Sequence, residues 1–301
     1  MSRTPPRLTA PHRGTRGASG RPRARAVSRV RDTPYRETAG TGAPVVLLHG
    51  WGMNLRVFDA LAARLARHYA VTALDLPGHG ASPWPAGCTP GRQLQLIARS
   101  LPRGATLIGW SLGGQLALAL AARPVLAVQR LVLIASTPRF VQSEDWPHGL
   151  PADTLRQFSR DLGHDSDATV ARFLELQVRG SLGSAATLAA LRAALARHGA
   201  ARPPALRAGL ALLAQTDLRA LAPALSVPTL LVAGASDRIT PPGAARALAA
   251  LLPDARLLEL PRAGHAPFLS HEEAVAEAAL RFLAEPPRRL MREPPPLSIP
   301  S

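Results

Sequence analysis

The sequence predicts an α/β protein with a mostly parallel central sheet and helices on both faces of that sheet. Short runs rich in Val, Ile and Leu alternate with longer amphipathic stretches along the chain. Such apolar strands suit a sheet that is buried on both faces. Of the 301 residues, 47% are hydrophobic and 19% are charged, which supports a sizeable core and excludes general disorder.

The individual strands are predicted from apolar runs that end in Gly, Pro or polar residues. A helix is expected from about Leu55 to His68, and an Ala-rich helix follows Ser111. Six strands are predicted, namely Val45 to Leu48, Ala70 to Leu74, Ala105 to Trp110, Arg130 to Ala135, Thr229 to Ala233 and Arg256 to Leu260.

A long interval without a predicted strand separates the fourth strand from the fifth. From about Thr137 to Leu225 the chain has only helix-like stretches rich in Ala, Leu and Arg. This interval of nearly 90 residues is far too long for an ordinary crossover connection. It predicts a helical insert, residues 137–225, that forms a lid over the sheet.

The composition of the two ends differs from that of the remaining chain. Residues 1–30 mix Arg, Pro, Gly, Ser and Thr without apolar periodicity, and residues 285–301 contain six prolines. Both segments are predicted to be disordered because they cannot bury enough apolar surface to offset the entropy of ordering. The sequence therefore predicts one folded domain over residues 31–284, with the lid inserted in it.

The net charge of +16 is concentrated at the amino-terminal end, since residues 1–40 carry ten arginines against Asp32 and Glu37. The chain has no lysine and much alanine, so we interpret the excess as a composition bias. A basic tail can bind polyanions non-specifically, but no specific nucleic-acid partner is expected.

Several classes of protein are excluded by missing features. No apolar run approaches 18 residues, so a transmembrane helix is not predicted. The single cysteine, Cys88, excludes a disulfide scaffold. Neither an H-E-x-x-H motif nor a strand-linked G-x-G-x-x-G motif is present, so neither a metal nor a cofactor is expected. No signal-peptide pattern is present, so we expect a soluble cytoplasmic protein. The chain is expected to be a monomer.

A candidate nucleophile stands between the third predicted strand and the Ala-rich helix. Gly109-Trp110-Ser111-Leu112-Gly113 has the form G-x-S-x-G. Glycines flank the serine in such a motif because the strand-to-helix turn is too cramped for side chains there. The turn exposes the serine hydroxyl above the sheet, and the helix N-terminus favours negative charge that develops beside it.

A serine nucleophile needs a general base that is itself held by a carboxylate. In this arrangement the expected chain order is Ser, acid, His. Asp237 and His265 follow the fifth and sixth predicted strands in that order. Asp75 also ends a strand, but it precedes Ser111 and is expected to anchor the neighbouring loop. His79 is expected in a turn.

The tetrahedral intermediate of ester hydrolysis needs two backbone donors. The N–H of Leu112, directly after the nucleophile, is one candidate. The other is the N–H of Trp51, which lies between Gly50 and Gly52 at the end of the first predicted strand. His271 lies in Ser270-His271-Glu272-Glu273, which predicts a capping box at the start of the last helix.

The motifs between residues 31 and 284 together carry a family resemblance. They are Leu47-Leu48-His49-Gly50-Trp51-Gly52-Met53-Asn54, Asp75-Leu76-Pro77-Gly78, Gly109 to Gly114, Asp145-Trp146-Pro147, Arg172-Phe173-Leu174-Glu175-Leu176-Gln177, Thr216-Asp217-Leu218-Arg219 and Gly264-His265-Ala266-Pro267-Phe268. This region resembles an α/β-hydrolase, and it is most similar to the pimeloyl-[acyl-carrier protein] methyl ester esterases of biotin synthesis.

The resemblance implies a serine esterase that releases methanol from the methyl ester of pimeloyl-[acyl-carrier protein]. It implies a catalytic triad of Ser111, Asp237 and His265, with Trp51 and Leu112 as oxyanion donors. It also implies that lid residues contact the substrate together with Trp51, Ser111, Leu112 and His265. Those lid residues are Phe173, Leu174, Glu175, Leu176 and Gln177.

The implied partner is an acyl-carrier protein, which is acidic and would dock on a basic surface. Arg172 and Arg179 of the lid are candidate contacts, although the general arginine bias explains them equally well. Where the family pattern leads us to expect further lid arginines, this sequence has Ala168, Ala185 and Ala189.

Other functions use the same Ser, Asp and His frame. A broad short-chain carboxylesterase is the main alternative, and a catalytically silent ligand-binding protein is another. The lid motif argues against the first, and the complete set of triad residues argues against the second.

Overall fold

The computed structural model describes residues 32–286, which are built around a seven-stranded sheet. The order across the sheet is β1-β3-β2-β4-β5-β6-β7, and β1 pairs antiparallel to β3 while the other neighbouring strands pair parallel. The strands are β1 (Arg36–Ala39), β2 (Pro44–Leu48), β3 (Ala70–Leu74), β4 (Thr106–Trp110), β5 (Arg130–Ile134), β6 (Thr229–Gly234) and β7 (Ala255–Leu260).

Ten α-helices connect these strands or cover the sheet in the described residues. They are α1 (Asp59–Leu65), α2 (Pro90–Ser100), α3 (Leu112–Ala121), α4 (Ala152–His164), α5 (Ser166–Val178), α6 (Ser184–His198), α7 (Pro203–Gln215), α8 (Pro242–Leu251), α9 (Pro267–Ser270) and α10 (Glu272–Ala284). Short 3-10 turns occur at Leu55–Phe58, Pro124–Leu126 and Ala222–Ala224.

The central strands form the most deeply buried part of the core. Every residue of β4 and β6 is buried, as are the last four residues of β2 and β5. Helices cover both faces of a parallel sheet, so its central strands need no polar face. The predicted α/β fold and its six strands are therefore confirmed, with ends that differ by one residue at most.

Two local features differ from the sequence-based expectation. Sequence patterns do not predict strand β1, because three of its four residues are polar, most of them are exposed and the strand lies at the sheet edge. The expected helix from Leu55 to His68 is divided into a 3-10 turn over Leu55–Phe58 and the helix α1. Asn54 caps the 3-10 turn, since its side-chain oxygen accepts a hydrogen bond from the Arg56 N–H at 3.0 Å.

Four helices, α4 to α7, lie between β5 and β6, where the sequence predicts the lid. The end of α6 is bonded to the loops that follow β2 and β3. Asn54 Nδ2 donates to the carbonyl oxygens of Ala194 and Gly199 at 3.0 and 2.9 Å. His198 Nε2 lies 2.7 Å from the buried Asp75 carboxylate. These polar contacts hold the lid against the carboxyl ends of the strands.

The two segments that are predicted to be disordered lie wholly or mostly outside the described residues. The whole of 1–30 lies outside them, and so do residues 287–301 of the predicted tail 285–301. Within residues 32–286, none of the helices has the length and apolar character needed to cross a lipid bilayer.

The close approach of α3 to the end of β2 gives a test of the fold. A Cβ added at Gly113 would lie against the backbone oxygen of Leu48 and 2.6 Å from that of His49. Backbone cannot move as a side chain can, so Gly113→Ala should lower the free energy of unfolding by about 3 kcal/mol or more. Urea denaturation measures this change.

A matched control uses a helical glycine with free space around it. A Cβ at Gly91 in α2 meets nothing within 4 Å. Gly91→Ala should leave stability unchanged or raise it by up to about 1 kcal/mol, since alanine is the better helix former. Equal effects of the two substitutions would contradict the close packing at Gly113.

Candidate active site

Ser111 occupies the turn between β4 and α3 in a conformation that few non-glycine residues adopt. Its φ is 54° and its ψ is −119°. A Cβ at Gly109 would lie 2.6 Å from Gly114 Cα, so the turn cannot accept a side chain there. The Ser111 N–H donates to the Ile134 carbonyl of the neighbouring β5 at 2.9 Å. The turn thus fixes the serine at the amino end of α3.

The side chain of His265 reaches Ser111 from the loop that follows β7. Its Nε2 lies 2.9 Å from Ser111 Oγ. The backbone of His265 is held on both sides, because its N–H donates to the Gln177 carbonyl at 3.0 Å and its carbonyl accepts from Trp110 Nε1 at 2.7 Å. The imidazole is therefore positioned by β4 and by α5 of the lid as well as by its own loop.

Asp237 completes the hydrogen-bonded chain from the loop that follows β6. Its Oδ2 lies 2.8 Å from His265 Nδ1, and its Oδ1 accepts the N–H groups of Ile239 and Thr240 at 2.8 and 3.0 Å. An ionised carboxylate only accepts, so this contact assigns the proton to Nδ1 and leaves Nε2 free to accept from the serine. Ser111, Asp237 and His265 are 5%, 4% and 1% exposed.

The loop after β2 lies directly against the serine. A Cβ added at Gly50 would be 3.3 Å from Ser111 Cβ, so Trp51 follows immediately beside the candidate nucleophile. Among the described residues, no acceptor is bonded to the backbone N–H of Trp51 or of Leu112. Both predicted oxyanion donors are thus available beside Ser111.

The Trp51 side chain connects this loop to the lid. Its Nε1 donates to the Leu206 carbonyl of α7 at 2.9 Å. Its ring also meets Phe173 of α5 edge-on, with the ring centroids 5.0 Å apart. The indole is 1% exposed, so it fixes the backbone of the loop by packing between two lid helices.

The predicted lid segment presents two different faces. Phe173, Leu174 and Gln177 are buried, and the Gln177 side-chain amide has no hydrogen-bond partner among the described residues. Leu176 is half-buried. Glu175 lies on the exposed face of α5 and pairs with Arg192 at 3.0 Å, so the structure does not bring its carboxylate to Ser111. Residues 173 and 177 share a face because they are four apart, whereas residue 175 does not.

Buried acidic and histidine side chains outside the candidate triad support neighbouring loops. Asp75 accepts the N–H groups of Leu55 and Ala81 at 2.8 and 2.9 Å, and burial raises the pKa of its carboxyl group. His49 accepts the Leu76 N–H at its Nε2, at 3.0 Å, and burial holds its pKa well below the ordinary value. Asp75 therefore anchors the loop, as the sequence indicates.

The capping box predicted at Ser270 is wrong. The residue before α10 is His271, and its side chain makes no capping hydrogen bond to the helix. Ser270 Oγ instead lies 2.9 Å from His271 Nδ1. The short helix α9, which ends at Ser270, keeps this serine out of the capping position.

Two hydroxyl groups at the site were not among the predicted residues. Thr240 Oγ1 donates to Asp237 Oδ2 at 2.7 Å, and Ser136 Oγ donates to the Ser111 carbonyl at 2.9 Å. The spacing Asp237-Arg238-Ile239-Thr240 is a local signal for the first, because side chains of Asp and Thr commonly bond within such turns. The contact of Ser136 depends on strand pairing and has no local signal.

The described part of the chain contains no candidate metal site. Within residues 32–286, no group of three or more His, Cys, Asp or Glu side chains could hold a metal ion.

The chain is similar to known proteins over most of its length. The family model described as alpha/beta hydrolase fold matches residues 43–272. A pimeloyl-[acyl-carrier protein] methyl ester esterase of Chromobacterium violaceum is 44% identical over 247 residues, which are 82% of this chain and 96% of that protein. A protein of the same name from Nitrosomonas europaea is 45% identical over 237 residues, which are 79% of this chain and 94% of that protein.

Solved structures give the same result for the fold. A bromoperoxidase from Bacillus anthracis has a TM-score of 0.73 and 25% identity, and the match covers 84% of this chain and 95% of that one. A hydrolase from Pseudomonas aeruginosa PA01 has a TM-score of 0.66 and 28% identity, with 83% and 94% covered.

The buried His79 beside the site is expected to make the fold less stable in acid. Burial lowers the pKa of His79 from its ordinary value of 6.5 to about 4. A histidine with a lowered pKa contributes stability above its unfolded pKa, and that stability is lost as the pH falls toward the folded value. As the pH falls from 6.5 to 4, the unfolded chain takes up a proton at His79 more readily than the folded chain does. The free energy of unfolding should therefore fall by about 3 kcal/mol.

Urea denaturation at several pH values measures this effect in the wild type and in His79→Leu. The free energy of unfolding should decline less steeply toward acid in the variant, because leucine takes up no proton. His148→Leu is the control, since it removes a histidine that is not fully buried. Parallel pH profiles of wild type and His79→Leu would contradict the prediction.

Proposed function

This chain belongs to the α/β hydrolase fold family, and we propose that it hydrolyses the methyl ester of pimeloyl-[acyl-carrier protein] to the free acid and methanol. The observation that carries the proposal is the continuous chain of hydrogen bonds from Ser111 through His265 to Asp237. The substrate is taken from the names of relatives that are 44% and 45% identical. The reaction would serve biotin biosynthesis in the cytoplasm.

Acylation of Ser111 is the first half of the proposed reaction. The Ser111 oxygen attacks the ester carbonyl carbon while His265 Nε2 takes the hydroxyl proton. The tetrahedral intermediate collapses when the imidazolium returns this proton to the methoxy oxygen. Methanol leaves, and the pimeloyl group remains on Ser111 as an ester.

Deacylation repeats these steps with water as the nucleophile. His265 Nε2 takes a proton from the water molecule, whose oxygen attacks the acyl carbonyl carbon. The second tetrahedral intermediate releases Ser111, which regains its proton from the imidazolium. Asp237 remains ionised throughout and stabilises the imidazolium that forms twice in each cycle.

The negative charge of both intermediates would fall on the former carbonyl oxygen. The free N–H groups of Trp51 and Leu112 are the proposed donors to this oxygen. Leu112 is the first residue of α3, so the dipole of that helix adds a favourable positive potential at the same place. Donors fixed in the backbone need no rearrangement during the reaction.

The proposed acyl-binding surface comes from the buried face of α5. Phe173, Leu174 and Gln177 provide apolar contacts and one unpaired amide, which suits an aliphatic chain with a polar thioester at its far end. Leu112 also lines an apolar cavity of about 220 Å³ between α2, α3 and α7. Glu175 has no part in this proposal, since it faces outward.

The proposed docking surface for the carrier protein depends on arginines that make no ion pair within residues 32–286. Arg172 pairs with Asp161 at 2.9 Å, which leaves it less able to attract a second acid. Arg179 is exposed and makes no ion pair within the described residues. The neighbouring Gly180 lies close to Ser236, and the Arg262 carbonyl accepts the Leu182 N–H at 2.7 Å. Arg179 and Arg262 thus border the loops that carry Asp237 and His265, where an acidic partner gains from both charges.

Removal of the nucleophile tests the proposed reaction. Ser111→Ala should lower turnover roughly 10⁴- to 10⁶-fold, because no acyl-enzyme can form. The measurement is methanol release from pimeloyl-[acyl-carrier protein] methyl ester. Circular dichroism and thermal unfolding of the variant establish that it is folded.

A second serine serves as the matched control. Ser100 is also buried, and its Oγ donates to the Leu96 carbonyl in α2 at 3.0 Å. Ser100→Ala should keep the wild-type rate despite the loss of a buried hydroxyl group. A Ser111→Ala protein with near wild-type turnover would disprove the assignment of the nucleophile.

Charge reversal at the site border tests carrier docking. The double variant Arg179→Glu, Arg262→Glu should raise the KM for the carrier-bound ester about tenfold, since two attractive contacts become repulsive. The KM for monomethyl pimelate, which lacks the carrier, should stay the same. Steady-state kinetics at low and high salt measure both values.

Arg67→Glu is the control for the double variant. Arg67 is exposed before the amino end of β3, whereas the candidate site lies at the carboxyl ends of the strands, and it makes no ion pair among the described residues. This variant should leave both KM values unchanged. An equal rise of KM for the carrier-bound and the free ester in the double variant would argue against docking at Arg179 and Arg262.

A further inference from the structure

The Asp237 carboxylate accepts more hydrogen bonds than its contact with His265 requires. Oδ1 accepts two backbone N–H groups of the following turn, and Oδ2 accepts both His265 Nδ1–H and the Thr240 hydroxyl. Thr240 and the imidazole thus share one carboxylate oxygen. A substitution at Thr240 would therefore change the same oxygen atom that holds the imidazole.

The Thr240 hydroxyl is also close to the imidazole itself. Oγ1 lies 2.7 Å from Asp237 Oδ2 and 3.3 Å from His265 Nδ1, and the residue is 5% exposed. The single hydroxyl proton is donated to Asp237 Oδ2. A lone pair of Oγ1 therefore faces the Nδ1–H group of His265. With two acceptors and no donor beside it, Nδ1 keeps its proton and Nε2 remains the atom that can accept from Ser111.

We propose that Thr240 is a positioning residue that fixes the Asp237 carboxylate against His265 and sets the lower pH limit of esterase activity. This inference rests on the proposed function of Ser111, Asp237 and His265. Thr240 does not touch the substrate in this proposal. It acts through the carboxylate that orients the general base.

The direction of the effect follows from the shared oxygen. A hydroxyl that donates to Oδ2 stabilises the negative charge there and weakens the attraction of this oxygen for the imidazolium. Without the hydroxyl, the carboxylate holds the protonated imidazole more strongly, and this gain exceeds the loss of the Oγ1 acceptor, which lies farther from Nδ1, at 3.3 Å against 2.8 Å for Oδ2. The base then loses its proton only at a higher pH, so activity should begin at a higher pH.

Other charged groups near this turn are the same in wild type and variant. Arg238 follows Asp237, while Arg179 and Arg262 come from the neighbouring segments, and all three are exposed and carry a constant charge over the relevant pH range. The ring of His148 packs against Gly243, just beyond the turn. His148 is present in both proteins, so its influence cancels when their pH profiles are compared.

The test compares Thr240→Val with Thr240→Ser. The measurement is the pH dependence of kcat/KM for monomethyl pimelate between pH 5 and pH 9. Thr240→Val should move the midpoint of the acid limb upward by about half a pH unit and lower the plateau several-fold. Thr240→Ser keeps the hydroxyl group and should restore the wild-type midpoint.

Thr229→Val is the matched structural control. Thr229 is buried at the start of β6, and its hydroxyl donates to the Val227 carbonyl at 2.9 Å, away from Asp237. This variant loses a buried hydroxyl in the same way but should keep the wild-type midpoint. Thermal unfolding of all variants separates stability from the pH profile.

A second readout does not depend on turnover. The titration of the His265 ring, followed by NMR and assigned with a His265→Asn variant, should shift in Thr240→Val in the same direction as the acid limb. A midpoint that stays in place or moves to lower pH would overturn the role of Thr240. Absence of any esterase activity in the wild type would instead overturn the proposed function, and the NMR titration would still decide the role of Thr240.

Discussion

The close backbone packing around Ser111 is the constraint on which the site depends. Gly109 and Gly113 let β4, α3 and the end of β2 approach so closely that added side chains would overlap neighbouring backbone or Cα atoms. This packing holds Ser111 at a φ of 54° and leaves its hydroxyl beside the first turn of α3. The parallel order of β4, β5, β6 and β7 then brings the loops of Asp237 and His265 to the same edge of the sheet. The geometry of the candidate site is therefore a consequence of the sheet topology and two glycines.

The lid is bonded to the same loops and is part of the site. The Gln177 carbonyl holds the His265 backbone, and the Leu206 carbonyl holds the Trp51 indole. At the other end of the lid, Asn54 and Asp75 bond to the end of α6. Each of the loops after β2, β3 and β7 thus has a partner in the lid. A change in the lid helices would reach the proposed base and oxyanion donors through these hydrogen bonds.

Sequence patterns predicted the features that depend on local chemistry. Apolar runs gave the buried strands, and motif order selected Ser111, Asp237 and His265, which the structure brings together. Strand β1 is not predicted from the sequence because it has no apolar run of its own. It is a strand because it pairs with β3. The family resemblance implies that Glu175 contacts the substrate with its lid neighbours, but the helical turn directs its side chain toward Arg192 and away from Ser111. Ser136 could not be found from its sequence context, since strand pairing alone brings its hydroxyl to the Ser111 carbonyl. Features that arise from tertiary contact therefore needed the structure.

The carrier protein separates the proposed activity from that of a general esterase with the same triad. The most direct measurement compares kcat/KM for pimeloyl-[acyl-carrier protein] methyl ester with kcat/KM for p-nitrophenyl butyrate, using the wild-type protein. Recognition of the carrier and of the acyl chain should make the first value at least about tenfold higher, which corresponds to about 1.4 kcal/mol of additional transition-state binding. Hydrolysis of the small ester alone, with no methanol released from the carrier-bound ester, would contradict the proposed function.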